Sequence, residues 1–208
     1  MSKEELNARQ KLINAGIILA RQKGISSFSV RQLCLKAKVN LGLFHYHFIS
    51  RQKFNKAVLK ELYGNFLKDF DFKSSGDLTP LQELENISSI IGNFTKENAS
   101  LLSSLFIEVA SGNKEMVSFI QNNFTRHIEF IISVIERCKA QKILKNYDTL
   151  VLLFSFIAPI ALPNVAVSIV KKIMSKKDYQ KAAPFMEKIA SDKLTKERIE
   201  ISLKGALR

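Results

Sequence analysis

The side chains of this chain best suited to chemistry are cations, and they are concentrated near its start. The whole sequence carries a net charge of +13 at pH 7. Residues 6 to 60 contain no Asp or Glu, and their basic residues are Arg9, Lys11, Arg21, Lys23, Arg31, Lys36, Lys38, Arg51, Lys53, Lys56 and Lys60. A stretch without carboxylates does not repel a phosphate backbone, and its cations release counterions when they bind one. The charge pattern therefore indicates binding to nucleic acid.

Other kinds of chemistry have little support in the sequence. His45 and His47 are two residues apart on a predicted helix, so they would point to different faces, and no carboxylate or cysteine lies near them. The motifs HExxH, GxSxG and CxxC and a Gly-rich phosphate loop do not occur. We therefore expect no metal site, no cofactor and no enzymatic activity.

The stretch from Ser29 to Phe54 has the elements needed to present these cations to DNA. Ser29 and Asn40 are good N-cap residues for two short helices, because their side chains accept hydrogen bonds from free first-turn amides. The second of these helices covers about 41–48 and is too short to be stable alone. Ser50 then caps a third helix. A short helix held across another by a turn is the arrangement that places one helix in the DNA major groove.

The remainder of the chain is predicted to be helical. The first helix runs from about Lys3 to Lys23, and Thr195 is predicted to cap the last helix. Helix breaks are predicted near residues 96–99 and 111–113. Because no alternating pattern of strands occurs, the predicted fold class is all-α.

Residues 9 to 54 resemble the DNA-binding domain of the TetR (tetracycline repressor) family of bacterial regulators. The segments that carry the resemblance are RQKLINAGIILARQKG, SVRQLCLKAKV and NLGLFHYHFISRQKF. The resemblance implies an N-terminal three-helix helix-turn-helix domain over residues 1–50. It also implies a C-terminal helical domain for effector binding and dimerisation over residues 51–208, where the chain is similar to the family in helical layout and length.

The resemblance also implies which residues contact DNA. The expected DNA-binding residues are Ser29, Arg31, Asn40, Leu41, Gly42, Leu43, His45, Tyr46, Arg51 and Lys53. Gly42 would let the backbone approach the groove closely. Leu41 stands at a position that is often basic in the family, and Leu43 at one that is usually small. Both leucines can contact thymine methyl groups. His45 stands where the family usually has a tyrosine directed at a phosphate, and it can still donate a hydrogen bond.

As in the family, we expect a homodimer on double-stranded operator DNA. Dimerisation is expected through helices near 148–172 and 195–207. A small effector, apolar or aromatic, is expected to bind among the middle helices, with Phe66, Phe70, Phe106 and Phe124 as candidate pocket residues. The predicted function is a ligand-responsive transcriptional regulator, a repressor by the usual mode of the family.

Two other interpretations remain open. Residues 149–170 contain no charge and are long enough to span a bilayer, which would make the chain a membrane-associated basic protein. Pro159, Pro163 and Asn164 interrupt this segment, so we expect a buried interface helix and no membrane partner. The other alternative is a non-specific DNA-binding protein without an effector.

Two cysteines and a polar N-terminus predict a cytoplasmic protein with reduced thiols.

Overall fold

The computed structural model describes residues 3–74, 78–123 and 125–208, and these residues form an all-α fold, as predicted. The helices within them are α1 (Lys3–Lys23), α2 (Val30–Ala37), α3 (Leu41–Phe48), α4 (Arg51–Ser74), α5 (Pro80–Glu97), α6 (Ala99–Ala110), α7 (Lys114–Asn123), α8 (Arg126–Ala140), α9 (Thr149–Ile173), α10 (Lys176–Ile189) and α11 (Asp192–Ala206).

Several helices begin where a side chain caps the first turn. The Ser29 hydroxyl oxygen accepts a hydrogen bond from the backbone nitrogen of Gln32 (3.1 Å), and the Gln32 side chain accepts one from the Ser29 nitrogen (2.9 Å). Thr79 and Gln82 form the same reciprocal box at the start of α5. Such caps satisfy amides that have no partner within the helix, so they fix where each helix starts.

The described helices form two compact units. The first unit is Met1–Phe66 with Ser100–Asn123, and the second is Leu67–Ala99 with Phe124–Arg208. Most of α6 and all of α7 therefore belong with α1, α2, α3 and the first part of α4, although the chain reaches them after α5. The division into a DNA-binding part (1–50) and an effector-binding part (51–208) is a functional prediction and stays one.

Three phenylalanines form the centre of the first unit. The ring of Phe54 lies 5.5 Å from that of Phe44 and 5.0 Å from that of Phe48, centre to centre, and all three side chains are buried. Gly16 on α1 faces this cluster, where an added Cβ would lie 2.5 Å from the Phe54 ring. The absence of a side chain at Gly16 thus lets α1 pack closely on α4.

Two buried polar side chains form contacts between helices of the second unit. Glu83 on α5 is buried and forms an ion pair with Arg137 on α8. Asn164 on α9 is also buried, and its amide donates a hydrogen bond to the Thr95 hydroxyl of α5 (3.1 Å). Because an unpaired buried polar group is costly, these contacts favour one register of α8 and α9 against α5.

Helix α9 buries one side and leaves an apolar stripe exposed on the other. Pro159 and Pro163 lie inside this helix, which continues through both of them. Spacings of four residues place 150, 154 and 162 on one face. By length and composition α9 could cross a membrane, but the core helix of a soluble protein passes the same test. The exposed large side chains of the helix are Leu150, Val151, Phe154, Leu162 and Ile173.

The last helix starts earlier than the sequence predicts. It begins at Asp192, where the Ser191 hydroxyl oxygen accepts a hydrogen bond from the Leu194 nitrogen (3.3 Å). The prediction of Thr195 as the cap is wrong, because its hydroxyl donates to the Ser191 carbonyl within the helix (3.0 Å). Both residues are suitable caps, and Asp192 in the first turn favours the earlier start through the helix dipole. The predicted breaks near 96–99 and 111–113 are confirmed.

Candidate nucleic-acid interface

Helices α2 and α3 form the predicted helix-turn-helix. Lys38, at the end of α2, takes a left-handed backbone conformation (φ 54°), which stops the helix and turns the chain. Two residues later, the Asn40 side-chain oxygen accepts a hydrogen bond from the Leu43 nitrogen (2.9 Å) and starts α3. The predicted capping roles of Ser29 and Asn40 are both present, and they define where α2 and α3 begin.

One face of α3 is anchored in the first unit and the other is open to solvent. Phe44 and Phe48 are buried, whereas Leu41 is 42% exposed and Tyr46 is 60% exposed. His45 is exposed as well, and Leu43 is half-buried. The outward face therefore presents two apolar side chains and two ring side chains with polar atoms, which suits contact with base edges and thymine methyl groups.

Gly42 lies on this open face, and nothing in the protein requires a glycine there. An added Cβ would meet only the Asn40 side-chain oxygen, at an ordinary contact distance of 3.4 Å. Its φ angle is not in the left-handed region. Because Gly42 has no side chain, an external surface can approach the backbone of α3 closely at this position.

Arg51 occupies a more internal position than a phosphate contact requires. Its Nη2 donates a hydrogen bond to the Ile25 carbonyl (2.7 Å), and its Nε donates to the Asn55 side-chain oxygen (2.9 Å). The guanidinium also lies over the Phe28 ring, 4.1 Å from its centre. Burial lowers the pKa of Arg51, although the guanidinium remains charged at neutral pH. Arg51 thus links the start of α4 to the loop between α1 and α2.

The other predicted phosphate contacts are accessible. Ser29 and Arg31 are at the surface at the start of α2, and Lys53 is exposed in the first turn of α4. The backbone nitrogen of Lys53 donates a hydrogen bond to the Ser50 hydroxyl oxygen (3.2 Å), so Ser50 caps α4. The structure therefore presents Ser29, Arg31 and Lys53 to solvent, while the guanidinium of Arg51 is already bonded inside the protein.

A contact that sequence reasoning missed holds the loop before α2. The Ser104 hydroxyl oxygen on α6 accepts a hydrogen bond from the Ile25 nitrogen (3.1 Å), and the Ser26 hydroxyl donates to the Glu108 carboxylate. Gly24, with φ +94°, packs against Ser104, where an added Cβ would lie 2.9 Å away. A glycine directly after a helix is a local helix-ending signal, whereas its partner on α6 has no local signal in the sequence.

The four candidate effector residues are not brought into one described cavity. Phe66, in the first unit, is buried and stacks on Tyr63 with ring centres 6.0 Å apart. Phe70, in the second unit, is buried against Phe130 (5.4 Å). Phe106 is 57% exposed. Phe124 lies outside the described residues. The assignment of these residues to a pocket stays a prediction.

Reactive groups are few in the described part of the chain. Cys34 and Cys138 are buried free thiols, and burial raises the pKa of each. Both are therefore poor nucleophiles at neutral pH. His45 and His47 are not part of a group of three or more potential metal ligands among the described residues.

Comparison with known proteins supports the fold. No protein-family model and no curated protein matches the sequence. Solved structures do match. FadR from Bacillus subtilis, in complex with stearoyl-CoA, has a TM-score of 0.70 and 14% identity, with 94% of this chain and 98% of that chain covered. A Rhodococcus protein assigned to the TetR family of transcriptional regulators has a TM-score of 0.68 and 14% identity, with 97% and 99% covered. A Clostridium perfringens protein assigned to the regulation of fatty acid metabolism has a TM-score of 0.66 and 15% identity, with 91% and 97% covered.

These alignments cover nearly the whole chain, including the part beyond residue 54 that has no recognisable motif. The chain therefore has the fold of the TetR-family transcriptional regulators. The family resemblance of residues 9 to 54 is confirmed at the level of the fold.

Proposed function

We propose that this protein is a DNA-binding transcriptional regulator, a repressor, that binds a pseudo-palindromic operator as a homodimer and responds to a small effector. The observation that carries the proposal is the open face of α3. This helix is anchored by Phe44 and Phe48, is capped by Asn40, and presents Gly42 and Tyr46 outward from a segment without carboxylates. A rigid, cationic helix-turn-helix with an uncovered second helix suits the major groove.

The homodimer is supported by the exposed stripe of α9. Phe154 is 66% exposed and Leu162 is 58% exposed. These residues are eight positions apart and lie on one helix face, and large apolar side chains exposed together in this way are unusual. A second copy would cover these side chains across a two-fold axis, with α11 beside them. The two recognition helices would then reach half-sites about 34–36 Å apart, or a multiple of that distance.

The effector is proposed to be small and apolar or aromatic. FadR from Bacillus subtilis, which shares the fold, was crystallised with stearoyl-CoA, and a long acyl chain is an apolar ligand of this kind. Phe66, Phe70, Phe106 and Phe124 are the proposed contacts. An effector that binds better to a DNA-incompetent conformation would lower operator affinity by the ratio of its affinities for the two conformations. The protein acts in the cytoplasm and carries out no catalysis in this proposal.

Selection from a random DNA pool tests the proposal directly. The purified full chain is used at moderate salt, and bound duplexes are sequenced over successive rounds. Enrichment of an inverted repeat is the expected result. Retention of DNA without an enriched motif would favour the non-specific DNA-binding alternative. Recovery of the protein only with detergent-solubilised membranes would favour the membrane-associated alternative.

Matched variants connect the selected motif to α3. Leu41 on α3 and Ile18 on α1 are both apolar and are exposed to nearly the same extent, 42% and 43%. We expect Leu41→Ala to change base preference within the half-site and Ile18→Ala to leave the motif unchanged. A motif that responds equally to both variants would contradict base recognition by α3.

A further inference from the structure

A cationic groove lies on the first unit, among α1, α4 and α7. Its volume is about 440 Å³, and it is open to solvent. Its lining includes four cations: Arg9, Lys53, Lys56 and Lys60. Apolar side chains, including Ile13 and Phe119, lie beneath them, and both are almost fully buried. The groove therefore combines buried apolar side chains at its base with a rim in which cations outnumber carboxylates.

The cations converge because of their positions on the helices. Lys53, Lys56 and Lys60 are spaced by three and four residues on α4, so they share one helix face. Arg9 approaches the same face from α1, and its guanidinium lies 5.6 Å from the centre of the Phe48 ring. Long side chains of one charge sign are thus held together by the crossing of two helices.

Carboxylates compensate only part of this charge. Glu61 lines the groove, and Lys56 forms an ion pair with Glu115 at 3.5 Å. Both members of that pair are more than a third exposed, so their mutual attraction is weak. Arg9, Lys53 and Lys60 form no ion pair within the described residues. A surface with such an excess of cations concentrates anions near it.

We propose that this groove binds a free small molecule that carries several phosphate groups on a partly apolar body. The volume is within the range of small-molecule sites, about 300–1,000 Å³. Phosphate oxygens match the lysine and arginine donors. A DNA backbone carries the same phosphate chemistry, but it does not call for a concave site or an apolar floor. Binding measurements on both ligands separate the two sources of phosphate.

The position of Lys53 gives such a ligand a regulatory consequence. Lys53 lines the groove and is also one of the proposed DNA-phosphate contacts. A bound polyanion would neutralise it and weaken operator binding. This consequence, unlike binding itself, rests on the proposed function. Failure of DNA binding would remove the consequence and leave the groove testable.

The test is calorimetric titration of the full-length protein with sodium tripolyphosphate at constant ionic strength. The variant is Lys56→Gln with Lys60→Gln. The control is Lys176→Gln with Lys177→Gln, which removes the same charge from the second unit. We expect one ligand per chain, affinity reduced roughly tenfold or more by the groove variant, and a change of less than about twofold in the control. Thermal unfolding of each variant checks that the fold is intact.

A second titration uses a duplex that contains the selected operator. If tripolyphosphate does not bind at a single site, or if both variants weaken it equally, the proposal is wrong. Another outcome is that only DNA affinity depends on Lys56 and Lys60, and that the slope of log affinity against log salt concentration is reduced by about 2 in the groove variant. The groove would then be a DNA-backbone contact, and the small-molecule proposal would also be wrong. Selective loss of tripolyphosphate binding in the groove variant supports it.

Discussion

The backbone nitrogen of Ile25 donates a hydrogen bond to the side-chain oxygen of Ser104 across 79 residues of chain. Ile25 is fully buried, and the Ser104 hydroxyl in turn donates to the Leu101 carbonyl (2.7 Å). Helix α6 thereby supplies the partner for an amide in the turn that leads to α2. The helix-turn-helix is thus completed by a residue far outside the sequence motif that identifies it.

Removal of that hydroxyl should destabilise the first unit. Ser104→Ala leaves the buried Ile25 amide without a partner, so we expect the free energy of unfolding to fall by about 1–3 kcal/mol. Urea denaturation followed by circular dichroism measures the change. Ser133→Ala is the control, since the exposed Ser133 hydroxyl bonds only within α8, and it should change stability by less than about 0.5 kcal/mol. Equal effects would mean that the Ile25 contact contributes little.

Replacement of Arg51 by lysine separates a structural role from a phosphate contact. Lysine keeps the charge but cannot reach both Ile25 and Asn55 or stack flat on Phe28. We expect Arg51→Lys to lower the free energy of unfolding by about 1–3 kcal/mol. Arg31→Lys, at the surface, should leave stability unchanged. If Arg51→Lys weakens DNA binding and leaves the denaturation midpoint where it was, Arg51 is chiefly a DNA contact.

A methyl group at position 42 should interfere with DNA without disturbing the fold. The Cβ of Gly42→Ala fits in the free protein and should raise helix stability slightly. In the complex it would hold α3 away from the groove, and loss of one base contact would lower affinity roughly tenfold. Fluorescence anisotropy with the selected operator measures the affinity. Gly64→Ala is the control. Gly64 lies on α4 with open space around it, so this change should stabilise the protein and leave DNA affinity unchanged. If both variants lose DNA affinity to the same extent, Gly42 is not needed for close approach to the groove.

A charge in the exposed stripe of α9 should separate the proposed dimer. Phe154→Lys places a cation where a second copy would bury an aromatic ring, and an unpaired charge in an apolar interface is strongly unfavourable. Light scattering after size-exclusion chromatography should report a monomer for this variant and a dimer for the unmodified chain. Val109→Lys on α6 serves as the control and should remain dimeric. A dimeric Phe154→Lys protein would place the interface elsewhere.

The second unit should lose stability in mild acid because of His127. Burial lowers the pKa of His127 to about 4, below its ordinary value of 6.5. Below pH 6.5 the unfolded chain therefore binds a proton that the folded chain does not. Stability should fall as the pH drops from about 6.5 to about 4, by roughly 1–2 kcal/mol for this partly exposed ring.

Urea denaturation between pH 4 and pH 7.5 measures this dependence. His127→Gln cannot titrate, so its stability should vary less over the acidic range. His45→Gln, at an exposed position on α3, is the control and should retain the full dependence. If the two variants behave alike, another group is responsible for the acid sensitivity.

Local signals in the sequence were sufficient for much of the fold. Ser29, Asn40 and Ser50 cap helices through neighbours three residues away, so their roles depend only on nearby sequence. Thr195 failed as a predicted cap because Ser191 offers the same chemistry one turn earlier, and local chemistry alone does not rank the two.

Long-range contacts were not predictable in the same way. The inward position of Arg51 depends on Ile25 and Phe28, which the sequence motif does not relate to it. The groove at Arg9 and Lys60 depends on how α1 crosses α4, and that crossing is permitted by Gly16. Composition revealed the excess of cations; only the helix crossing shows which of them share a concave surface.

The two-turn length of α3 also bears on how the protein responds to heat. Phe44 and Phe48 provide its buried anchors, so we expect its amide hydrogens to be protected from exchange only while the cluster of Phe44, Phe48 and Phe54 remains closed. Local opening of that cluster would release the recognition surface while the second unit keeps its helices. If the protein is the regulator proposed above, warming would then abolish operator occupancy before the loss of bulk helicity, and three aromatic rings would set the temperature dependence of gene control.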